Sequence, residues 1–63
     1  MKTKYFTFGQ SHIHVGGFDK DVVVKITAKN PREKMFKLFG KDWSTEYDEL
    51  PDMRYFSKGI KEL

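Results

Sequence analysis

Polar and apolar side chains alternate near the start of the chain, in the pattern of a half-buried strand. Phe6 and Phe8 are expected on one face of this strand. Tyr5 and Thr7 are expected on the other face. Residues 4–8 are therefore predicted to form a first strand, with an aromatic face toward the core.

The apolar positions lose their phase after this strand. In a continuous strand, Ile13 and Val15 would point to the face opposite the one that carries the two phenylalanines. We therefore expect a bulge or bend near Gly9, because one extra residue in a strand would restore the phase.

Two glycines and a second alternating stretch follow. Gly16 and Gly17 indicate a turn, because glycine tolerates the backbone angles of tight hairpins. Residues 22–28 then alternate clearly, and Lys25 is expected on the solvent face. The positions expected on the core face are Val22, Val24, Ile26 and Ala28. The first two strands are predicted to form an antiparallel hairpin.

A helix is predicted next, and both of its ends are marked. Asn30 is a suitable N-cap, Pro31 is favoured at the first helical position, and Glu33 completes a capping box. Gly40 follows the last apolar residue and can take the left-handed C′ conformation that often ends a helix. The apolar stripe of this helix consists of Met35, Phe36, Leu38 and Phe39. Because a stripe of this kind must be covered, the helix is expected to pack on the sheet.

Strand-like alternation returns between residues 43 and 47, which are predicted to form a third strand. Pro51 ends this pattern, and residues 59–63 are predicted to form a short fourth strand. The prediction is therefore a single α+β domain over residues 1–63. It has one helix packed on one face of a small antiparallel sheet, in the order ββαβ(β).

Composition narrows the class of protein. The chain contains no cysteine, which excludes disulfides and cysteine-ligated zinc sites. Six Phe, three Tyr and one Trp are expected to compensate for the small core of a 63-residue chain. No apolar run approaches the roughly 20 residues that cross a membrane, and no signal-peptide core follows Met1. We expect a soluble cytoplasmic protein with no membrane contact.

The charges are unevenly distributed along the chain. Residues 1–41 carry nine Lys/Arg and three Asp/Glu, which is a net charge of +6. Residues 42–63 carry three Lys/Arg and six Asp/Glu, which is a net charge of −3. The charges can form ordinary solvated faces, or they can give the protein a basic face that meets an anionic partner.

Two histidines have the spacing of a possible metal site. His12 and His14 would leave the same face of a strand, and Asp19 or Asp21 can supply a third ligand. The alternative is two solvent-facing histidines that alternate with buried apolar residues.

An acidic run in the second part of the chain can do acid–base chemistry or hold a divalent cation. It consists of Glu46, Asp48, Glu49 and Asp52. The alternative is a solvated edge that pairs with lysines. The chain contains no phosphate-binding glycine loop and no nucleophile motif, so we expect neither enzymatic activity nor a cofactor.

Basic residues on and near the helix are candidates for phosphate contacts. Lys34, Lys37 and Lys41 are expected along one stripe, at about 100° of rotation per residue. Lys25 is expected on the open face of the sheet beside Tyr5, and Lys4 can join them. Aromatic and basic side chains combine in this way on single-strand-binding sheets. The alternative is a lysine face that only keeps the protein soluble.

The tail carries residue types that are enriched at protein interfaces. Arg54, Tyr55 and Phe56 are therefore candidates for partner binding. The alternative is that this segment packs back over an open edge of the domain. An uncovered sheet edge can also pair with a second copy of the chain, so a homodimer is possible.

Three segments resemble a group of small phage and mobile-element proteins of Gram-positive gut bacteria. The segments are FTFGQSHIHV, KITAKNPREKMFKLFG and WSTEYDELPDMRYFSKGIKEL. The resemblance spans nearly the whole chain but brings no catalytic or binding motif with it. It implies an accessory protein that binds or inhibits a host macromolecule, such as a component of a defence system.

Two further hypotheses stay open beside a binding module of this kind. One is a nucleic-acid-binding protein that uses the basic helix and sheet faces. The other is a metal-dependent enzyme built on the two histidines and nearby acids.

Overall fold

The computed structural model describes residues 1–9 and 17–63 of the chain. Within these ranges, the chain forms four strands, one α-helix and one turn of 3₁₀ helix. The strands are β1 (Lys2–Thr7), β2 (Val22–Ala28), β3 (Thr45–Tyr47) and β4 (Gly59–Glu62). The α-helix is α1 (Pro31–Phe39), and the 3₁₀ turn is Met53–Tyr55.

The four strands form one mixed sheet in the order β3-β1-β2-β4. β1 and β2 pair antiparallel with Phe6 opposite Val24, and β1 also pairs antiparallel with β3. β4 pairs parallel with β2, with Ile60 opposite Val23. The predicted α+β class, the helix and the β1–β2 antiparallel pairing are confirmed.

The prediction of a purely antiparallel sheet in the order ββαβ(β) is wrong. β3 and β4 lie at opposite edges of the sheet, and both run antiparallel to β1. Residues 48–58 must therefore cross the width of the sheet and return along its length before β4 begins. Such a crossover leaves the last strand parallel to its neighbour.

Both predicted ends of the helix are confirmed. The Asn30 Oδ1 atom accepts from the backbone N–H of Glu33 at 3.4 Å, and Pro31 occupies the first turn. At the other end, the Gly40 N–H donates to the Phe36 carbonyl at 2.9 Å. The predicted left-handed conformation of Gly40 is wrong, because its φ of +64° is positive but its ψ of −129° lies outside the left-handed helical region.

The core lies between α1 and one face of the sheet. Its buried residues are Phe6, Phe8, Val22, Val24, Ile26 and Met35, and Phe18, Ala28, Phe39 and Trp43 pack against them. The predicted stripe on the helix is confirmed for Met35 and Phe39. It is wrong for Phe36 and Leu38, which are 45% and 49% exposed. At about 100° per residue, these two side chains fall on opposite flanks of α1.

The other face of the sheet is also partly buried. Val22 and Val24 point toward the helix, so Val23 between them points to the other face of the sheet. Val23 is nevertheless 0% exposed. Thr7 lies opposite Val23 in the β1–β2 register and is 5% exposed. β2 is therefore buried on both faces at Val23, whereas Lys25 is half-buried and Thr27 is exposed further along the same face.

The remaining strand predictions differ in their details. The predicted third strand begins at Thr45 and not at Trp43. The Trp43 ring instead packs edge-on against Phe6, with ring centroids 5.1 Å apart. The predicted fourth strand is confirmed as β4. The predicted bend near Gly9, the positions Ile13 and Val15, and Gly16 of the predicted turn involve residues outside the described part of the chain.

Candidate binding surfaces

The structure divides the predicted basic site. Lys34 and Lys37 lie together on α1, and Lys41 is exposed just beyond the helix end. Lys25 points to the opposite face of the sheet, because it alternates with the core residues of β2. Lys25 therefore cannot share one phosphate-binding surface with the helix lysines.

A shallow groove lies beside the first turns of α1. It is lined by Ala28, Lys29, Asn30, Glu33, Lys34 and Lys37 and has a volume of about 600 Å³. Its charged side chains are three ammonium groups and one carboxylate, which is a local net charge of +2. Within the groove, the Lys37 ammonium lies 3.5 Å from the Glu33 carboxylate, one helical turn away. We call this feature the basic groove.

Acidic side chains of the second part of the chain neutralise other cations. Glu46 accepts from the Arg32 guanidinium at 2.8 Å, and Asp48 pairs with Lys4. The basic groove receives no such partner among residues 1–9 and 17–63, since Lys29 and Lys34 form no ion pair there. The acidic segment therefore masks one flank of the helix and leaves the other flank positive.

Three of the four carboxylates of the predicted acidic site, Glu46, Asp48 and Asp52, are ion-pair partners. The hydrogen bond from Lys4, together with its charge, holds the pKa of Asp48 below its ordinary value. Glu46 is engaged by Arg32 on the helix side of the sheet. This arrangement agrees with the alternative of an edge that pairs with cations. Lys4 lies opposite Ile26, on the face of the sheet that carries the helix. The prediction that Lys4 can join Tyr5 on the open face is therefore wrong.

A separate ion pair ties the start of β4 to the turn before β2. The Lys58 ammonium donates to the Asp19 carboxylate at 2.6 Å and to the Gly17 carbonyl at 3.3 Å. The hydrogen bond from Lys58 is the largest cause of a lowered pKa at Asp19, followed by the backbone N–H of Asp21. These contacts hold the crossover segment against the hairpin.

Replacing Lys58 by methionine is expected to raise the pKa of Asp19 back toward its ordinary value of 3.8. Because the folded-state pKa is depressed, the pair stabilises the fold above the ordinary pKa, and this stabilisation is lost as pH falls through the folded value. An NMR titration of the Asp19 carboxyl carbon measures the shift. Lys20→Met is the control, since Lys20 is the smallest cause at this carboxyl. Equal Asp19 midpoints in the two variants would contradict the assignment.

The open face of the sheet brings aromatic and basic side chains into one row. Tyr5 lies opposite Lys25 on β2 and opposite Tyr47 on β3. The predicted neighbourhood of Tyr5 and Lys25 is therefore confirmed. However, Glu62 of β4 lies next in the row, and its carboxylate is 3.5 Å from the Lys25 ammonium. The positive charge of this row is thus shared with a neighbouring acid.

The predicted tail site is partly occupied by contacts within the chain. The Arg54 guanidinium donates to both carboxylate oxygens of Asp52, to Oδ1 at 3.1 Å and to Oδ2 at 2.7 Å. The hydrogen bond from Arg54 lowers the pKa of Asp52. Phe56 is half-buried, whereas Tyr55 is 73% exposed. Of the three predicted residues, Tyr55 is the one most available to a partner.

An aromatic surface on α1 was missed by sequence reasoning. The Phe36 ring packs against Trp43 with centroids 5.4 Å apart, and Trp43 in turn packs against buried Phe6. Arg32 lies one helical turn before Phe36 on the same flank. We call Arg32, Phe36 and Trp43 the aromatic surface. The helical rotation of Phe36 away from Met35 was the signal that could have identified it.

The proposed metal ligands His12 and His14 lie outside the described residues, and the suggested third ligands Asp19 and Asp21 pair with Lys58 and Lys20. Among the residues that the structure does describe, no group of three or more His, Cys, Asp or Glu side chains can hold a metal ion. Over the same residues, no helix is long and apolar enough to cross a membrane.

A scan against protein-family models gives no match to this chain, and comparisons with curated proteins and with solved structures give none either.

Proposed function

We propose that this protein is a non-enzymatic binding module that engages a protein partner through the aromatic surface. The observation that carries the proposal is the exposure of Phe36. This side chain remains 45% exposed in a domain that needs its aromatic residues for the core. Exposed aromatic area of this kind is typical of a contact that a partner completes.

The aromatic surface is connected to the core rather than loosely attached to it. Phe6 is 0% exposed and supports Trp43, which supports Phe36. The Trp43 indole N–H donates to the Gly40 carbonyl at 3.1 Å, which fixes the ring. A partner therefore meets side chains that already have defined positions, so little conformational entropy is lost on binding.

The chemistry of this surface is that of an interface centre. Tryptophan and arginine are enriched among the residues that dominate protein binding energies. The Arg32 guanidinium donates to the Glu46 carboxylate at 2.8 Å, which restrains the position of this side chain. A partner with an apolar pocket and a nearby acceptor would complement Phe36 and Arg32.

The proposal includes the context that the resemblance implies. In that context, the protein acts in the cytoplasm of a bacterial host as a phage or mobile-element accessory protein, and its partner is a host protein. Blocking a surface of that partner requires no catalytic group and no cofactor.

Replacing Phe36 by alanine tests the proposal. Tagged wild-type protein is used to capture partners from nuclease-treated lysate of a bacterial host, and the captured protein is purified for titration. We expect Phe36→Ala to weaken its affinity by about 30-fold, which corresponds to about 2 kcal/mol for a central interface residue. Circular dichroism confirms that the variant is folded.

Leu50→Ala is the matched control, because Leu50 is 47% exposed and lies outside the aromatic surface. This variant is expected to bind as the wild type does. Equal affinities of the Phe36 and Leu50 variants would overturn the proposal, as would turnover of a small substrate by the isolated protein.

A further inference from the structure

Part of the positive charge that remains after internal pairing lies at the basic groove. Seven of the twelve Lys and Arg residues form salt bridges within the described parts of the chain. The five that form none there are Lys2, Lys29, Lys34, Lys41 and Lys61. Lys61 lies over the Phe18 ring, 5.7 Å from its centroid. Two of the other four, Lys29 and Lys34, line the groove.

The third lysine of the groove is held weakly. Lys37 is paired with Glu33 at 3.5 Å, and their side chains are 75% and 59% exposed. Pairs of this kind on helix surfaces contribute about 0.3–0.5 kcal/mol, so a stronger anion can displace the carboxylate. All three ammonium groups are therefore available to one ligand in the groove.

We propose that the basic groove binds the phosphate backbone of nucleic acid. Lysine ammonium groups are compact point charges that bind phosphates without requiring one fixed geometry. A concave surface lined by charges of one sign also concentrates its field on an approaching polyanion. The groove has a volume of about 600 Å³ and a local charge of +2, which complement a phosphate-rich strand.

The binding is independent of base sequence. Phosphate contacts position a protein on nucleic acid but carry no sequence information. The helix terminus adds little here, because the Glu33 N–H already donates to Asn30. At about 100° per residue, Lys34 lies about 160° around α1 from both Arg32 and Phe36, so this inference does not depend on the proposed protein partner.

The test is a fluorescence titration of a labelled DNA duplex of mixed sequence at several salt concentrations. Three phosphate contacts predict a slope of log affinity against log salt of about −2.7. The affinity of the wild type should therefore fall roughly 40-fold between about 50 and 200 mM salt. In the double variant Lys29→Gln/Lys34→Gln, one phosphate contact remains. Its affinity should therefore fall only about fourfold over the same range of salt concentration.

Lys20→Gln is the control for the loss of a cation outside the groove, because it removes one exposed cation in the turn before β2, whereas the double variant removes two from the groove. It should keep the wild-type salt dependence. Absence of binding at the lowest salt would overturn the proposal, as would equal salt slopes in the wild type and the double variant. Binding to anionic lipid vesicles without binding to DNA would also overturn it, since the groove would then recognise lipid headgroups.

Discussion

Replacing Phe6 by alanine is expected to lower the free energy of unfolding by about 3–5 kcal/mol. Phe6 is 0% exposed, and its ring packs against Trp43 in the core between the sheet and the helix. A domain of this length has a total stability of roughly 3–9 kcal/mol. The variant is therefore expected to be largely unfolded or close to it. Urea denaturation followed by circular dichroism measures the change.

Phe36→Ala is the matched control for Phe6→Ala, because the same side chain is removed from a position that is 45% exposed. We expect it to cost about 1 kcal/mol, chiefly through the lost contact with Trp43. Phe6→Leu keeps most of the volume and should still fold with an intermediate loss of stability. Similar losses for Phe6→Ala and Phe36→Ala would contradict the core described for this protein.

Replacing Met35 by alanine is expected to cost about 2–5 kcal/mol. Met35 is 0% exposed and is the central contact between α1 and the sheet. Its removal leaves a cavity under the helix that neighbouring side chains can fill only in part. Urea denaturation again measures the loss.

Leu38→Ala, on the same helix, provides the comparison for Met35. Leu38 is 49% exposed, so the substitution should change stability by no more than about 0.5 kcal/mol. A loss at Leu38 as large as the loss at Met35 would mean that α1 is rotated about its axis relative to the arrangement described above.

The sequence allowed the helix to be placed closely because its limits depend on local contacts. Asn30, Pro31 and Gly40 act within one turn of the helix ends, and all three behave as predicted in position and in hydrogen bonding. The β1–β2 pairing was also predictable, since two alternating stretches are joined by a segment with a turn signal. Local rules of this kind do not require knowledge of the rest of the fold.

The parallel pairing of β4 could not be predicted in the same way. It depends on which edge of the sheet residues 48–58 reach, and no local pattern specifies that choice. The same limit applies to the core stripe of the helix. A nine-residue helix presents only one line of side chains to the sheet, and Pro31, Met35 and Phe39 occupy it. Phe36 and Leu38 therefore do not face the sheet.

Ion pairs between distant residues, and the face of the sheet on which each side chain lies, decide which predictions about the candidate sites are correct. Strand alternation correctly placed Lys25 beside Tyr5, but it also placed that lysine on the face opposite the helix lysines. The partners Glu46 and Asp48 come from a strand that is distant in sequence from Arg32 and Lys4. Charge totals along the chain could not show which cations they neutralise. Only the folded arrangement identifies Lys29 as a neighbour of Lys34 and Lys37 at one groove.

Two surfaces of different chemistry lie on α1, one around Phe36 and one around Lys34. One flank carries Arg32 and Phe36 against Trp43, and its positive charge is compensated by Glu46. The other flank carries Lys34 beside the basic groove, where positive charge remains. Because the flanks differ in chemistry, they should select different classes of partner.

The most direct test is capture from bacterial host lysate, with and without nuclease, using three baits. The baits are the wild type, Phe36→Ala and Lys29→Gln/Lys34→Gln. We predict that Phe36→Ala loses the nuclease-resistant protein and keeps the nuclease-sensitive material, and that the lysine variant shows the reverse. If both variants lose the same material, or neither loses any, the two flanks are not separate binding surfaces.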